Sequence, residues 1–373
     1  MIGARVLLAG GGTGGHLYPA LNLAAALQRV MPAVCIRLVG AERGIESSVL
    51  PNAGYPYDLL PMEPLYRSGI WRNWRLLRSV PGVASGLTRI LRSFDPQLVV
   101  GTGGYASGPA VGAALATRRR TALQEQNAEP GLVTRVLAPR VDQVHLGYPE
   151  AEKRIRVGRR TRVFAYGNPV AAIGNLVREP FPWPPGRVVA VIGGSQGARG
   201  INEALLRDLR MAEAWPEDVR MVWVAGKADH ARVSSEVATL SVSDRIQVVP
   251  FITDLGSQLG SVTLAVGRAG AMFVSELAAA GVPALLVPLP TAAADHQTRN
   301  AEALQAAGAA EWLPEADLAP GVLWDAARRL MADACRLDAM GSAMRARGQP
   351  DAADRIAGEL VALMADGRSD DRG

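Results

Sequence analysis

Little in this chain of 373 residues points to covalent or metal cross-links. It has two cysteines, Cys35 and Cys335, far apart and with no secretory leader ahead of them. That excludes a disulfide scaffold and predicts a reducing compartment, with both thiols as plain core residues. The four histidines, His16, His145, His230 and His296, form no i, i+4 pair. With no C-x-x-C and no Asp-x-Asp either, neither a dedicated metal site nor a cofactor is expected. The absence of a Walker sequence removes the commonest NTPase reading. No membrane span is legible: the longest stretch without a charged residue or histidine, 96–117, contains five glycines and two prolines, where a span needs about 20 uniformly apolar residues.

What is there describes a folded α/β protein. Apolar residues make up 49% and charged residues 20%, with a mean hydropathy of +0.09, which excludes a disordered or fibrous chain. The length exceeds one ordinary core and predicts two domains. Charge is unevenly placed: residues 1–165 hold 21 Lys/Arg against 10 Asp/Glu, and the remainder 19 against 25. A basic first half calls for an anionic partner, whether nucleic acid, a phosphorylated ligand or an acidic lipid surface.

The 40 glycines cluster where strands end. A buried strand over Arg5–Ala9 runs into Gly10-Gly11-Gly12-Thr13-Gly14-Gly15-His16 and then a helix over Leu17–Val30. Short apolar runs follow at 34–39, 57–60, 98–101, 121–124 and 141–145, spaced for βαβ units and a parallel sheet. The pattern restarts at 188–192, before Gly193-Gly194-Ser195-Gln196-Gly197-Ala198-Arg199 and a helix to about residue 214, with further strands near 221–224, 246–249, 263–266 and 284–287. Prolines over 178–186 and a break at Gly167-Asn168-Pro169 predict a hinge near 165–170. The expected architecture is two Rossmann-like doubly wound domains, 1–166 and 167–346, facing across a cleft. Residues 367–373 are expected to be a frayed tail.

A glycine turn between a buried strand and a helix leaves amides free at the positive end of a helix dipole, a place for phosphate. A third such loop, Gly101 to Pro109, makes a single dinucleotide site an inadequate account, although Gly10, Gly12 and Gly15 fit G-x-G-x-x-G. His16 lies at a helix amino end, where the dipole favours a neutral imidazole, the form a base needs.

These loops, together with Gln124-Glu125-Gln126-Asn127, Gly167-Asn168-Pro169-Val170 and Ser275-Glu276-Leu277 through Pro283, are a specific combination. On these motifs the chain resembles the MurG family of peptidoglycan N-acetylglucosaminyltransferases, collinearly from about residue 5 to 355. The resemblance implies a GT-B fold, with a helix over 347–366 returning to the first domain. It also implies transfer of N-acetylglucosamine from UDP-GlcNAc to undecaprenyl-diphospho-MurNAc-pentapeptide, with no cofactor. On it, Thr13, Gly14, Gly15 and Asn127 reach the donor, Ser195 meets its diphosphate, and Ile252 with Ala271, Met272, Phe273, Val274, Ser275 and Glu276 frames the nucleoside. Glu276 takes the ribose hydroxyls and Gln297 the sugar. Gly12, Gly104, Tyr105 and Ser107 are assigned to the acceptor diphosphate. Three positions depart from the family: Ala171 stands where an arginine is usual, Gln124 where a histidine often precedes the glutamate, and Ala269, in Gly267-Arg268-Ala269-Gly270-Ala271, where a serine hydroxyl is usual.

Inverting transfer needs a base near the acceptor hydroxyl and hydrogen-bond donors around the departing UDP. His16 is the leading base and Glu125 the second; Arg268 or Arg199 balances diphosphate charge. Ile70, Trp71, Arg72, Trp74, Arg75 and Arg78 have the profile of an interfacial basic helix, to which Arg118-Arg119-Arg120 adds. The implied partners are therefore the two substrates, an anionic membrane surface and a cell-wall synthesis complex, not nucleic acid. The implied location is peripheral, at the cytoplasmic face of the membrane. Two alternatives stay open: a UDP-sugar 2-epimerase of the same fold, and a non-catalytic membrane-associated nucleotide-sugar binder.

Overall fold

A computed structural model describes residues 3–63, 74–171, 181–193, 197–212, 215–252, 255–292 and 295–366. It divides into two units, Met1–Pro169 with Asp351–Gly373, and Val170–Pro350.

In the first unit, β1 (Arg5–Ala9), α1 (Gly14–Val30), β2 (Cys35–Ala41), α2 (Glu46–Val49), β3 (Tyr57–Leu60), α3 (Trp74–Ser93), β4 (Leu98–Gly101), α4 (Gly104–Ala116), β5 (Arg120–Glu125), α5 (Leu132–Leu137), β6 (Gln143–Leu146) and β7 (Arg162–Phe164) follow one another. The strands form one parallel sheet in the order β3-β2-β1-β4-β5-β6-β7. Leu7, Val99 and Leu123 face one core with Leu87, Ile90 and Val111. Val6, Leu8 and Val100 face the other with Leu23 and Leu27 of α1. Such strands, covered on both faces, read as continuous apolar runs, which is why they are legible in the sequence.

The second unit contains β8 (Arg187–Ile192), α6 (Arg199–Met211), β9 (Val219–Val224), α7 (His230–Val237), β10 (Ile246–Val249), β11 (Leu264–Gly267), α8 (Ala271–Ala280), β12 (Ala284–Leu286), α9 (His296–Ala306), β13 (Ala310–Trp312), α10 (Val322–Ala332) and α11 (Ala334–Arg347). Its sheet is parallel too, ordered β10-β9-β8-β11-β12-β13. The chain then returns to the first unit as α12 (Ala352–Ala365), whose Ile356, Ala357, Leu360 and Leu363 complete the α1 core. Arg29 pairs with Asp354 at 2.6 Å, and Gln143 Nε2 donates to the Glu359 carbonyl at 3.2 Å.

Both sheets reverse strand order beside their first strand, between β1 and β4 and between β8 and β11. Ligands of open α/β sheets bind beyond the carboxyl ends of the strands at such a reversal, and there the glycine loops lie. Two expectations are corrected. The first helix starts at Gly14, three residues early, because its glycines enter the helix. Both cysteines are exposed, Cys35 at the first residue of β2 and Cys335 in the first turn of α11. Among the described residues no helix is long and apolar enough to cross a membrane.

Candidate active site

In the first unit the loops after β1, β4 and β5 interlock. Gly103 and Gly104 have φ of 95° and 73°, a region that favours glycine. A side chain at Gly104 would overlap the Gly11 carbonyl. Thr102 Oγ1 donates to the His16 carbonyl at 2.7 Å, and Gln126 Nε2 donates to the Thr102 carbonyl at 2.9 Å. Asn168 Nδ2 reaches the Gln126 carbonyl at 2.9 Å. Thr102, Gln126 and Asn168, all buried, are the residues sequence reasoning missed. Gln126 and Asn168 stand in motifs quoted for the resemblance and Thr102 in the third glycine loop, but none of the three has an assigned role there.

His16 is the third residue of α1 and part-exposed. Its Nδ1 lies 3.1 Å from Thr13 Oγ1. Gly14 and Gly15 head the first turn, where amides have no intrahelical partner.

Glu125 ends β5 and is 4% exposed. Its Oε1 accepts from the Asn127 amide at 3.1 Å and Asn127 Nδ2 at 3.2 Å. Its Oε2 accepts from the Gly131 amide at 2.9 Å and Thr134 Oγ1 at 2.6 Å. A buried carboxylate holding four donors braces Asn127 and the start of α5.

Two residues assigned to the acceptor diphosphate have partners inside the protein. Ser107 is wholly buried, and its hydroxyl donates to the Gly104 carbonyl at 3.2 Å. The Gly12 amide is already donated to Glu46 Oε1 at 2.6 Å. Tyr105 lies against Gly12 and donates its hydroxyl to the Arg43 carbonyl at 2.5 Å.

In the second unit Ser195 lies outside the described residues. Beside it, Gly197 has φ 79° and sits where a side chain would crowd the Ala225 carbonyl. Asn202, buried on α6, donates to that carbonyl at 3.0 Å and to Asp229 at 2.7 Å, and accepts from Trp223 Nε1 at 2.9 Å. Hydrogen bonds from Arg232, with Asn202 adding, hold the Asp229 carboxyl below the usual range.

Gly270 caps α8, so Ala271 and Met272, both buried, present a helix amino end. Val274 is buried behind them, while Phe273, Ser275 and Glu276 are part-exposed. The Glu276 stem packs over Gly256, where a Cβ would lie 2.8 Å from its Cγ. Ile252 is buried nearby in sequence, just after β10.

Gln297 Oε1 accepts the Leu289 amide at 3.0 Å, which commits its acceptor and leaves its NH₂ to donate. One turn on, buried Asn300 donates to the Ala269 carbonyl at 3.1 Å and ties α9 to the loop after β11. Arg268 pairs with Glu315 at 2.5 Å and donates to the Val287 and Pro288 carbonyls. Arg199 is the exposed alternative, at 83%, beside Glu203.

On α3, Trp74 is 47% exposed, with Arg75 and Arg78 exposed and their guanidinium carbons 5.8 and 5.3 Å from its ring centre. Ile70, Trp71 and Arg72 lie outside the described residues. Arg119 does not join this face: it is tied to Asp95 at 2.8 Å and to the Pro96 and Leu91 carbonyls. No group of three or more His, Cys, Asp or Glu able to hold a metal occurs among the described residues.

Residues 6–146 match the glycosyltransferase family 28 N-terminal domain, and residues 188–356 its C-terminal domain. A UDP-N-acetylglucosamine--N-acetylmuramyl-(pentapeptide) pyrophosphoryl-undecaprenol N-acetylglucosamine transferase from Chlorobaculum parvum is 40% identical, covering 96% of this chain and 99% of its own. The crystal structure of Acinetobacter baumannii MurG matches with a TM-score of 0.73 at 27% identity, over 96% of this chain and 99% of that one. A putative UDP-N-acetylglucosamine 2-epimerase from Listeria monocytogenes, at 18% identity and a TM-score of 0.69 over 100% and 99% of the two chains, shares the fold alone. Identity at this level over nearly the whole of both chains means that this chain belongs to the MurG family of glycosyltransferases.

Proposed function

We infer that the chain moves N-acetylglucosamine from UDP-GlcNAc to undecaprenyl-diphospho-MurNAc-pentapeptide, forming the disaccharide lipid precursor of the cell wall. The observation that carries this is the collinear 40% identity to a transferase of that name. The 2-epimerase reading rests on fold alone and falls behind it.

In the reaction we propose, the acceptor 4-hydroxyl attacks the anomeric carbon as the bond to UDP breaks, inverting that centre. His16 takes the hydroxyl proton. The Gly104 loop serves the acceptor diphosphate on the first unit, while Thr13, Gly14, Gly15 and Asn127 reach the donor. On the second unit, Ser195 and the amino end of α8 meet the departing diphosphate, whose negative charge a helix amino end favours. Ile252 and Ala271 to Glu276 frame the nucleoside, and Gln297 donates to the sugar. No cofactor is assigned.

A bilayer-anchored acceptor requires docking at the cytoplasmic membrane face, peripherally and within reach of a cell-wall synthesis complex. The exposed side of α3, with Trp74, Arg75, Arg78, Arg89 and Arg92, suits an anionic surface; none of these arginines has an acidic partner among the described residues. The decisive assay is release of UDP and label transfer on adding lipid-linked muramoyl acceptor. UDP released only by hydrolysis, with no disaccharide formed, overturns the reading; no release at all marks a binder.

A further inference from the structure

Behind the first glycine loop lies an acidic side chain that the proposed reaction does not use. Glu46 is fully buried. Its Oε1 accepts the Gly12 amide at 2.6 Å and the Ala41 amide at 3.4 Å. Oε2 is buried with no hydrogen-bond partner among the described residues.

Three glycines surround this side chain. A methyl group at Gly40 would lie 2.8 Å from Glu46 Cγ, and one at Gly11 or Gly44 would overlap a carboxyl oxygen. At Gly11 the three nearest atoms all belong to Glu46. The φ of Gly11 is not in the positive region that bars other residues. A side chain at Gly11 would therefore meet Glu46, and backbone strain is not what bars it.

The consequences reach the base. The Gly11 carbonyl lies against Gly104, and the position a Cβ would take there is 3.1 Å from His16 Nδ1. Gly12 lies under the Tyr105 ring, whose hydroxyl fixes the Arg43 carbonyl three residues before Glu46. A run with glycine at 10, 11 and 12 has great conformational freedom, and a single internal acceptor removes it.

We propose that Glu46 is a positioning residue for the acceptor half of the reaction. Its carboxyl group fixes the Gly10–Thr13 loop through the Gly12 amide, and Gly11 is a glycine to admit that carboxyl group. The Gly12 amide therefore serves the protein, and the acceptor's diphosphate is left to the loop at Gly104. The kinetic part of this inference rests on the transferase reading; the packing part does not.

The test is a double-mutant cycle of Gly11→Ala, Glu46→Ala and the pair, with Glu46→Gln as the conservative variant. It is followed by melting temperature, by steady-state kinetics with lipid-linked acceptor, and by calorimetric UDP binding. Each single alanine variant is expected to lose about tenfold or more in kcat/KM for acceptor, with UDP affinity within about twofold of wild type. Glu46→Gln, which keeps an oxygen for the Gly12 amide, recovers most of that loss. The double variant is no worse than Glu46→Ala, because the clash and its cause are removed together. Losses that multiply in the double variant, an unimpaired Glu46→Ala, or UDP affinity falling in step with kcat would overturn the proposal. Should wild-type protein transfer no sugar, the transferase reading fails by itself. The cycle in melting temperature then decides the packing claim, non-additive shifts supporting it and additive shifts refuting it.

Discussion

Thr13 Oγ1 stands 3.1 Å from His16 Nδ1, so the hydroxyl that precedes α1 fixes the ring of the proposed base. His16→Ala should lower kcat more than tenfold at saturating substrates, within the roughly 10²–10⁴-fold span of general base catalysis. Thr13→Val should cost less, about three- to tenfold, and displace the pH profile by releasing the ring from its partner. Steady-state kinetics across pH check both. A His16→Ala loss under tenfold would make His16 a positioning residue.

Gln297 spends its oxygen on the Leu289 amide, so only its NH₂ is left for the sugar. Gln297→Glu keeps an oxygen for Leu289 and removes the donors. It should weaken UDP-GlcNAc about tenfold while leaving UDP nearly unchanged, since a lost hydrogen bond of about 1.4 kcal/mol is a factor of ten. Calorimetry with the two ligands separates the effects; equal weakening of both would remove Gln297 from the sugar.

On α3 the exposed Arg78 and Arg89 should act as independent lipid contacts of about 1 kcal/mol each. Replacing both with glutamine should cut binding to anionic vesicles roughly thirtyfold and leave neutral vesicles unaffected. Sedimentation with and without acidic lipid reads this directly. Unchanged anionic binding would move the contact elsewhere.

Glu125 carries four hydrogen bonds in a buried position. Glu125→Ala leaves the Gly131 amide and Thr134 hydroxyl unsatisfied and should destabilise the first unit by about 3 kcal/mol. Denaturant unfolding measures it. A stability loss under about 1 kcal/mol would mean that water replaces the brace without penalty.

His145 is wholly buried, stacked on Phe164 at 5.3 Å, and burial, with Arg162 adding, pulls its imidazole down to about 3 from 6.5. The unfolded chain therefore takes up a proton near 6.5 that the folded chain refuses until about 3. The contribution is complete above pH 6.5 and is lost as pH falls toward 3, at a slope of about 1.4 kcal/mol per unit. His145→Phe should flatten stability against pH across that window whatever its absolute stability. An unaltered slope would refute the assignment.

The central strands were readable because they are mostly apolar and buried: β1 and β4 fall on the expected residues, and the four-residue edge strands β3 and β10 do too. β7 and β13 were not, being three-residue edge strands with half-buried side chains and no run to detect. The glycine loops revealed their position through composition, but not which amides are free. That depends on Glu46, whose burial is created by glycines at 11, 40 and 44, a pairing no local periodicity encodes. Gln297 was legible as a residue, though not its commitment to Leu289. The cysteines misled because residue type suggests burial on average, while their places, a strand start and a helix first turn, face water.

The return of α12 onto α1 has a consequence for biosynthesis. During translation the apolar stripe of α1, with Leu23 and Leu27, stays uncovered until Ile356, Leu360 and Leu363 have been made, whereas the second unit is continuous in sequence and can close first. The nascent first unit must therefore wait with its α1 core incomplete, and a ribosome stalled shortly before residue 351 would leave a sticky half-molecule prone to association.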